Sequence, residues 1–129
     1  MSKLYVAHYG HPLLKGAKHW ALLLPTTNQS YVAYQISGST DTYEVKPPED
    51  VRPAEDSTYL GKVEVGHVEN DQREKLEKAV QAIAVTRGDL SWNCQNWIIE
   101  VLGKLKAEGF AVTNYSLREL QDLLAACSK

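Results

Sequence analysis

Two side chains in this sequence are the best placed to carry covalent chemistry near neutral pH, the thiol of Cys94 and the imidazole of His19. Cys94 falls near the start of an amphipathic segment. Free backbone N–H groups and the positive end of a helix dipole there stabilise a thiolate. His19 opens the most apolar stretch of the chain, and on a strand its ring shares a face with Ala21 and Leu23 while Trp20, Leu22 and Leu24 point the other way. A thiol at a helix N-terminus opposite a strand imidazole is the arrangement nucleophilic cysteine catalysis requires. The imidazole takes the thiol proton and later returns it to the leaving group. The same helix position suits a buried packing cysteine, so spacing alone leaves both readings open. Cys127, near the chain end, reads as packing.

Other polar residues carry weaker signals. His8-x-x-His11, with His19 nearby, lacks the HExxH or paired-cysteine spacing of a metal site. It reads instead as part of a substrate-entry loop, with Tyr9 and His11 as contacts. Trp97 belongs to the apolar stripe of its helix, whereas Trp92 falls off that stripe and is a candidate pocket border. His67 reads as structural or exposed. No metal and no organic cofactor is expected.

Positioning these groups requires strands first and helices after. Lys3–Ala7 alternates, Lys18–Leu24 is a near-continuous apolar run, and Tyr31–Ile36 returns after the turn at Pro25-Thr26-Thr27-Asn28-Gln29-Ser30. Thr42–Lys46 reads as a short strand, Pro47–Ser57 as an exposed loop, and Thr58–Val68 as the last strand. Asp71-x-x-Glu74 resembles a capping box before Leu76, Ala79, Val80 and Ile83. Arg87-Gly88-Asp89 ends that helix, and Asp89 or Ser91 is the candidate cap of the next. The second helix carries Cys94, Trp97, Ile98, Val101, Leu102 and Leu105 on one stripe, which faces the sheet, so a partner for Cys94 must come from a strand. Gly109 closes it, and Ser116-x-x-Glu119 caps a final helix. The expectation is one α+β domain spanning residues 1–129, an antiparallel sheet packed with helices.

Composition narrows the function classes. Of the 129 residues, 43% are apolar and 23% charged, a globular rather than disordered balance. With 14 Lys and Arg against 16 Asp and Glu, the formal net charge is −2, which argues against a nucleic-acid binder. Two cysteines do not make a disulfide framework. No apolar run approaches the roughly 20 residues of a membrane span, and the first residues lack a signal-peptide core. The chain reads as a soluble, cytoplasmic protein of undetermined oligomeric state.

The local words around the two reactive residues add a resemblance. His19-Trp20-Ala21-Leu22 on a strand, then Tyr31-Val32-Ala33-Tyr34, then Asn93-Cys94-Gln95-Asn96-Trp97 at a helix start resemble the permuted papain-like thiol enzymes, the NlpC/P60 and lecithin:retinol acyltransferase superfamily. They are also similar to small fungal proteins of unassigned function. The order of His before Cys is the permuted one. The resemblance implies a papain-like fold, Cys94 as nucleophile, His19 as its base, and a third polar residue on the next strand that orients the base. Aligning the strands puts Tyr34 at that place with Gln35 next, and a slip of one residue changes which face is presented. Neither supplies a carboxylate's charge. The acid-His pair that follows the cysteine in the acyltransferases is replaced here by the neutral amides Gln95 and Asn96, and their membrane-seeking tail has no counterpart.

The reading that results is a thiol hydrolase or an acyl/amidotransferase, peptidase- or amidase-like, in which Cys94 attacks an amide, ester or thioester carbonyl. The Cys94 backbone N–H would hold the oxyanion, assisted by Tyr5 or Asn93. A small-molecule or peptide-like acyl substrate fits this chain better than a bilayer lipid. The rival reading is a non-catalytic binding module that keeps the papain-like pocket, favoured by a neutral residue where the family orients its base. An isomerase or cyclising enzyme using the same pair is a third.

Overall fold

The computed structural model describes residues 2–10, 18–27 and 29–127. Among the described residues, seven strands precede the helices and an eighth lies between the last two: β1 (Ser2–Tyr9), β2 (His19–Thr27), β3 (Ser30–Tyr34), β4 (Ile36–Ser37), β5 (Glu44–Val45), β6 (Glu49–Val51), β7 (Tyr59–Val68), α1 (Arg73–Gln81), α2 (Cys94–Ala107), β8 (Ala111–Val112) and α3 (Leu117–Ala126). Six strands form one sheet in the order β6-β3-β2-β1-β7-β8, and every pairing in it is antiparallel. β4 and β5 form a separate two-stranded ladder. With the three helices this is an α+β fold.

Strand alternation divides the apolar residues between two faces. Leu4, Val6, Trp20, Leu22 and Leu24 point into the larger core, where Trp97, Ile98, Val101, Leu102 and Leu105 of α2 are fully buried against them. Each such aliphatic side chain removed from water contributes about 1.5–3 kcal/mol, so α2 is the main weight holding helices to sheet. The opposite face carries a smaller cluster. Ala7, Ala21, Leu23 and Ala33 form a floor of mostly small residues, covered by Tyr5, Tyr9, Tyr31 and Tyr59. Gly66 lets β8 approach, since a Cβ there would press on the Ala111 carbonyl and the Val112 backbone.

Several elements depart from the sequence expectation; α1 ends at Gln81 rather than at Arg87-Gly88-Asp89, and β2 runs on through Pro25 to Thr27. The third strand stops at Tyr34 rather than Ile36, because Ile36 turns away to pair with Val45. The presumed loop 47–57 contains β6, whose Glu49, Asp50 and Val51 pair with Ala33, Val32 and Tyr31. The capping box before α1 is Glu69 with Gln72, around a short 3-10 turn at Asn70–Gln72, and not Asp71 with Glu74. For α2 the cap is Asn93, not Asp89 or Ser91: the Asp89 carboxylate accepts from the Ser91 N–H (2.9 Å) and hydroxyl (2.6 Å), closing a local turn instead. Ser116 and Glu119 cap α3 as expected. Among the described residues no helix is long and apolar enough to cross a membrane.

Ile98 sits fully buried on α2 between sheet and helices. Ile98→Ala is expected to lower the unfolding free energy by about 2–5 kcal/mol, read as a lower urea midpoint with an unchanged slope.

Candidate active site

Cys94 is the first residue of α2. Asn93 precedes it in extended conformation, its side-chain oxygen accepting from the Gln95 N–H at 2.9 Å while its own N–H donates to Asn96 Oδ1 at 2.9 Å. This reciprocal capping box pins the helix start, and it commits the Asn93 side-chain oxygen Oδ1 to the helix. The thiol is half-buried and points at the beginning of β2. Its Sγ donates to the Lys18 carbonyl at 3.7 Å, and the Trp20 N–H is directed at the same sulfur. The nucleophile candidate therefore lies against the backbone on both sides of His19.

The reason lies in the sheet. β3 pairs with β2 only from Tyr34 opposite Leu22 onward, so β3 makes no ladder bonds to Trp20 and Lys18. Buried backbone groups need partners, and the terminus of α2 supplies them. Alongside the thiol, Gln95 Nε2 donates to the Lys18 carbonyl at 3.0 Å, and Gln121 Nε2 of α3 donates to Gln95 Oε1 at 2.9 Å. Gln95 is only 5% exposed. Together, α3, α2 and the start of β2 form a polar brace that sets how the thiol stands relative to the imidazole.

His19 faces the side of the sheet that carries Ala21 and Leu23. Its Nε2 lies 2.6 Å from Gln35 Oε1, and Gln35 Nε2 donates to Glu49 Oε1 at 2.8 Å. Lys46 Nζ lies 2.8 Å from the same carboxylate oxygen. Hydrogen bonding to Lys46, then attraction to that ammonium and the bond from Gln35, hold the Glu49 carboxyl below its ordinary range, against a partial desolvation. The ring of Tyr9 flanks His19 with centroids 6.1 Å apart and leans on Tyr59 at 5.6 Å. Burial, with Asp56 and Tyr59 nearby, keeps the Tyr9 phenol protonated.

Of the two residues weighed for orienting the imidazole, the structure brings Gln35 to it. Tyr34 points into the larger core on the opposite face. There burial and then the Glu77 carboxylate, to which its hydroxyl is hydrogen-bonded, push its pKa up to about 12. Tyr5 does not join the thiol either. It stands four residues along β1 from Tyr9, about 13 Å at strand spacing, edge-on to Tyr31 and beneath Lys62 Nζ at 5.0 Å. Trp92 is in the core rather than at a pocket border, its Nε1 donating to Glu100 at 2.7 Å and its ring meeting Tyr43 at 5.5 Å. His11 lies outside the described residues.

Three residues near the site carried no recognisable signal. Gln95 and Glu49 act through contacts that depend on which strands pair. Tyr43 belongs to a short connection, yet its phenol is near enough to Cys94 for the sulfur's charge, after burial, to raise its pKa. Among the described residues no three His, Cys, Asp or Glu side chains converge as metal ligands. A charged hollow of about 590 Å³ between α1 and α2 is lined by Lys75, Lys78 and Lys104 among others. Lys104 lies ten residues beyond Cys94 along α2, about 15 Å at helical rise.

The helix terminus favours a thiolate, as expected, but does not by itself make one. The N–H groups of Trp20, Cys94 and Gln95 favour the anion, but burial outweighs them and pushes the Cys94 thiol above its ordinary pKa. An unassisted Cys94 is therefore a thiol at neutral pH. In His19→Ala, iodoacetamide labelling of Cys94 should rise with pH to a half-maximum above the ordinary thiol value of about 8.5, because a raised pKa means less thiolate at each pH. The unaltered protein should reach its plateau at lower pH. Gln95→Ala, which strips Lys18 and Gln121 of a buried partner, should lower stability by about 1–3 kcal/mol in urea unfolding.

No curated protein and no solved structure matches the chain significantly. Residues 4–111, most of its length, do match a family, and by that match the chain belongs to the Family of unknown function (DUF6540).

Proposed function

We propose that the protein is a cysteine-dependent acyl-transfer enzyme of the permuted papain-like kind, a hydrolase or an acyl/amidotransferase acting on an amide, ester or thioester. The observation that carries this reading is the contact of the Cys94 sulfur with the backbone on both sides of His19, while the imidazole Nε2 is held by Gln35. A ring held at Nε2 by an amide oxygen leaves Nδ1 as its proton acceptor.

The chemistry follows from those atoms. As Sγ bonds to the substrate carbonyl carbon, its proton passes to His19 Nδ1. The carbonyl π pair moves to oxygen, where the Cys94 backbone N–H at the start of α2 stabilises the negative charge. The tetrahedral species collapses by breaking the bond to the leaving amine, alcohol or thiol, which takes the proton from the imidazolium. A thioester on Cys94 remains. Water, or an acceptor amine or alcohol, attacks it with His19 again accepting a proton, and the thiol is regenerated. A buried, neutral thiol suits this route, because general-base assistance during attack replaces a standing thiolate. The substrate class we favour is a small-molecule or peptide-like acyl compound, and the two free cysteines suit a reducing, cytoplasmic setting.

One observation favours a second reading, a binding module without turnover. The group on His19 Nε2 is a neutral amide, so the imidazolium formed during attack receives less stabilisation than a carboxylate would give. Turnover separates the two. A screen of peptide amides, acyl esters and thioesters, with intact-mass detection of an acyl group on Cys94, is expected to find a class whose turnover falls by about 10³-fold or more in Cys94→Ser. Turnover that survives in Cys94→Ser, or a wild-type Cys94 that alkylates no faster than Cys127 and acquires no acyl group, overturns the enzyme reading.

A further inference from the structure

We infer that Glu49 is a positioning residue that selects the tautomer of His19 by fixing which end of the Gln35 amide faces the ring. This rests on the thiol reading above, since it specifies how the base of that site is prepared. A glutamine side chain presents an acceptor at one end and donors at the other, and the two ends are nearly equal in size. Facing an imidazole alone, such an amide can show either end, and each choice imposes a different tautomer on the ring. Oxygen toward Nε2 requires Nε2–H and leaves Nδ1 bare. The NH₂ group toward Nε2 requires a bare Nε2 and puts the proton on Nδ1, where it blocks transfer from the thiol.

Glu49 removes the ambiguity. Its ionised carboxylate only accepts, so the Gln35 NH₂ must face it, as the 2.8 Å contact records, and Oε1 is left for His19 at 2.6 Å. Lys46 Nζ meets the same carboxylate oxygen at 2.8 Å and favours its charged form. The unit is closed on itself by backbone pairing. The Lys46 N–H donates to the Gln35 carbonyl at 3.0 Å, and Glu49 is in register with Ala33, two residues before Gln35. A negative group behind a polarisable amide also strengthens the bond the amide oxygen accepts. The carboxylate is thus not missing from the site but stands one amide further out.

The test uses the full chain labelled with 15N-histidine, with two-bond 1H–15N spectra recorded above the imidazole titration range and His19 assigned by its loss in His19→Ala. Wild type is expected to show His19 as the Nε2–H tautomer alone. Glu49→Met, similar in length at a side chain 41% exposed, removes the acceptor that holds the Gln35 NH₂ and should convert His19 to a mixture, with Cys94 alkylation slowed about tenfold. Lys46→Met removes the ammonium and keeps the acceptor, so His19 should stay Nε2–H. The inference is overturned if Glu49→Met leaves the tautomer intact, or if Lys46→Met mixes it as fully as Glu49→Met does, since the effect then belongs to the ion pair's packing. A tautomer that responds to Glu49→Met in a protein whose wild-type Cys94 alkylates no faster than Cys127 upholds the role of Glu49 while sinking the thiol reading.

Discussion

The Lys18 carbonyl is shared by the Cys94 thiol and the Gln95 amide, and the rest of the site depends on that sharing. Where β3 stops at Tyr34, the backbone at the start of β2 has lost a strand neighbour, and unpaired polar backbone is costly inside a fold. The N-terminus of α2 takes the neighbour's place with two side chains. A requirement of sheet structure is met by a helix, and in meeting it the helix sets its thiol against the backbone that flanks His19. Asn93 stiffens this arrangement from one side and Gln121 of α3 from the other.

Electrostatics at the site work in two opposed directions. The backbone N–H groups around the sulfur favour a thiolate, and the apolar packing of α2 against the sheet opposes it more strongly. Under the proposed function, a neutral thiol of this kind would rely on a proton transfer to the imidazole rather than on a standing anion. Behind that ring the order of groups is amide, carboxylate and ammonium, with each contact between 2.6 and 2.8 Å. The charge that the ring lacks at first contact is present at second contact.

The parts of the site that were legible in the sequence are those decided by local pattern. Cys94 at a helix start followed from the apolar spacing Cys94, Trp97, Ile98, Val101, and the face of His19 followed from strand alternation. The ambiguity between Tyr34 and Gln35 could not be removed that way, because strand parity distinguishes them only once Leu22 is known to pair with Tyr34. Glu49 was hidden more deeply. A segment with prolines at 47, 48 and 53 reads as exposed loop, and the three-residue strand within it exists only because β3 offers an edge to pair with. The cap of α2 went to Asn93 because Asp89 had already closed its own turn with Ser91; both were good caps by type, and only backbone geometry chose between them.

The chain's own order of residues was enough to establish an α+β fold, a stripe-bearing helix led by a cysteine, and an apolar strand led by a histidine, since helix and strand periods are properties of neighbouring positions. Which strand ends early, which carbonyl is left for the thiol, and which carboxylate stands behind the imidazole are matters of long-range pairing. Those contacts join positions such as 18 and 94, or 19, 35 and 49, whose proximity no local spacing encodes, and the folded sheet alone brings them within reach.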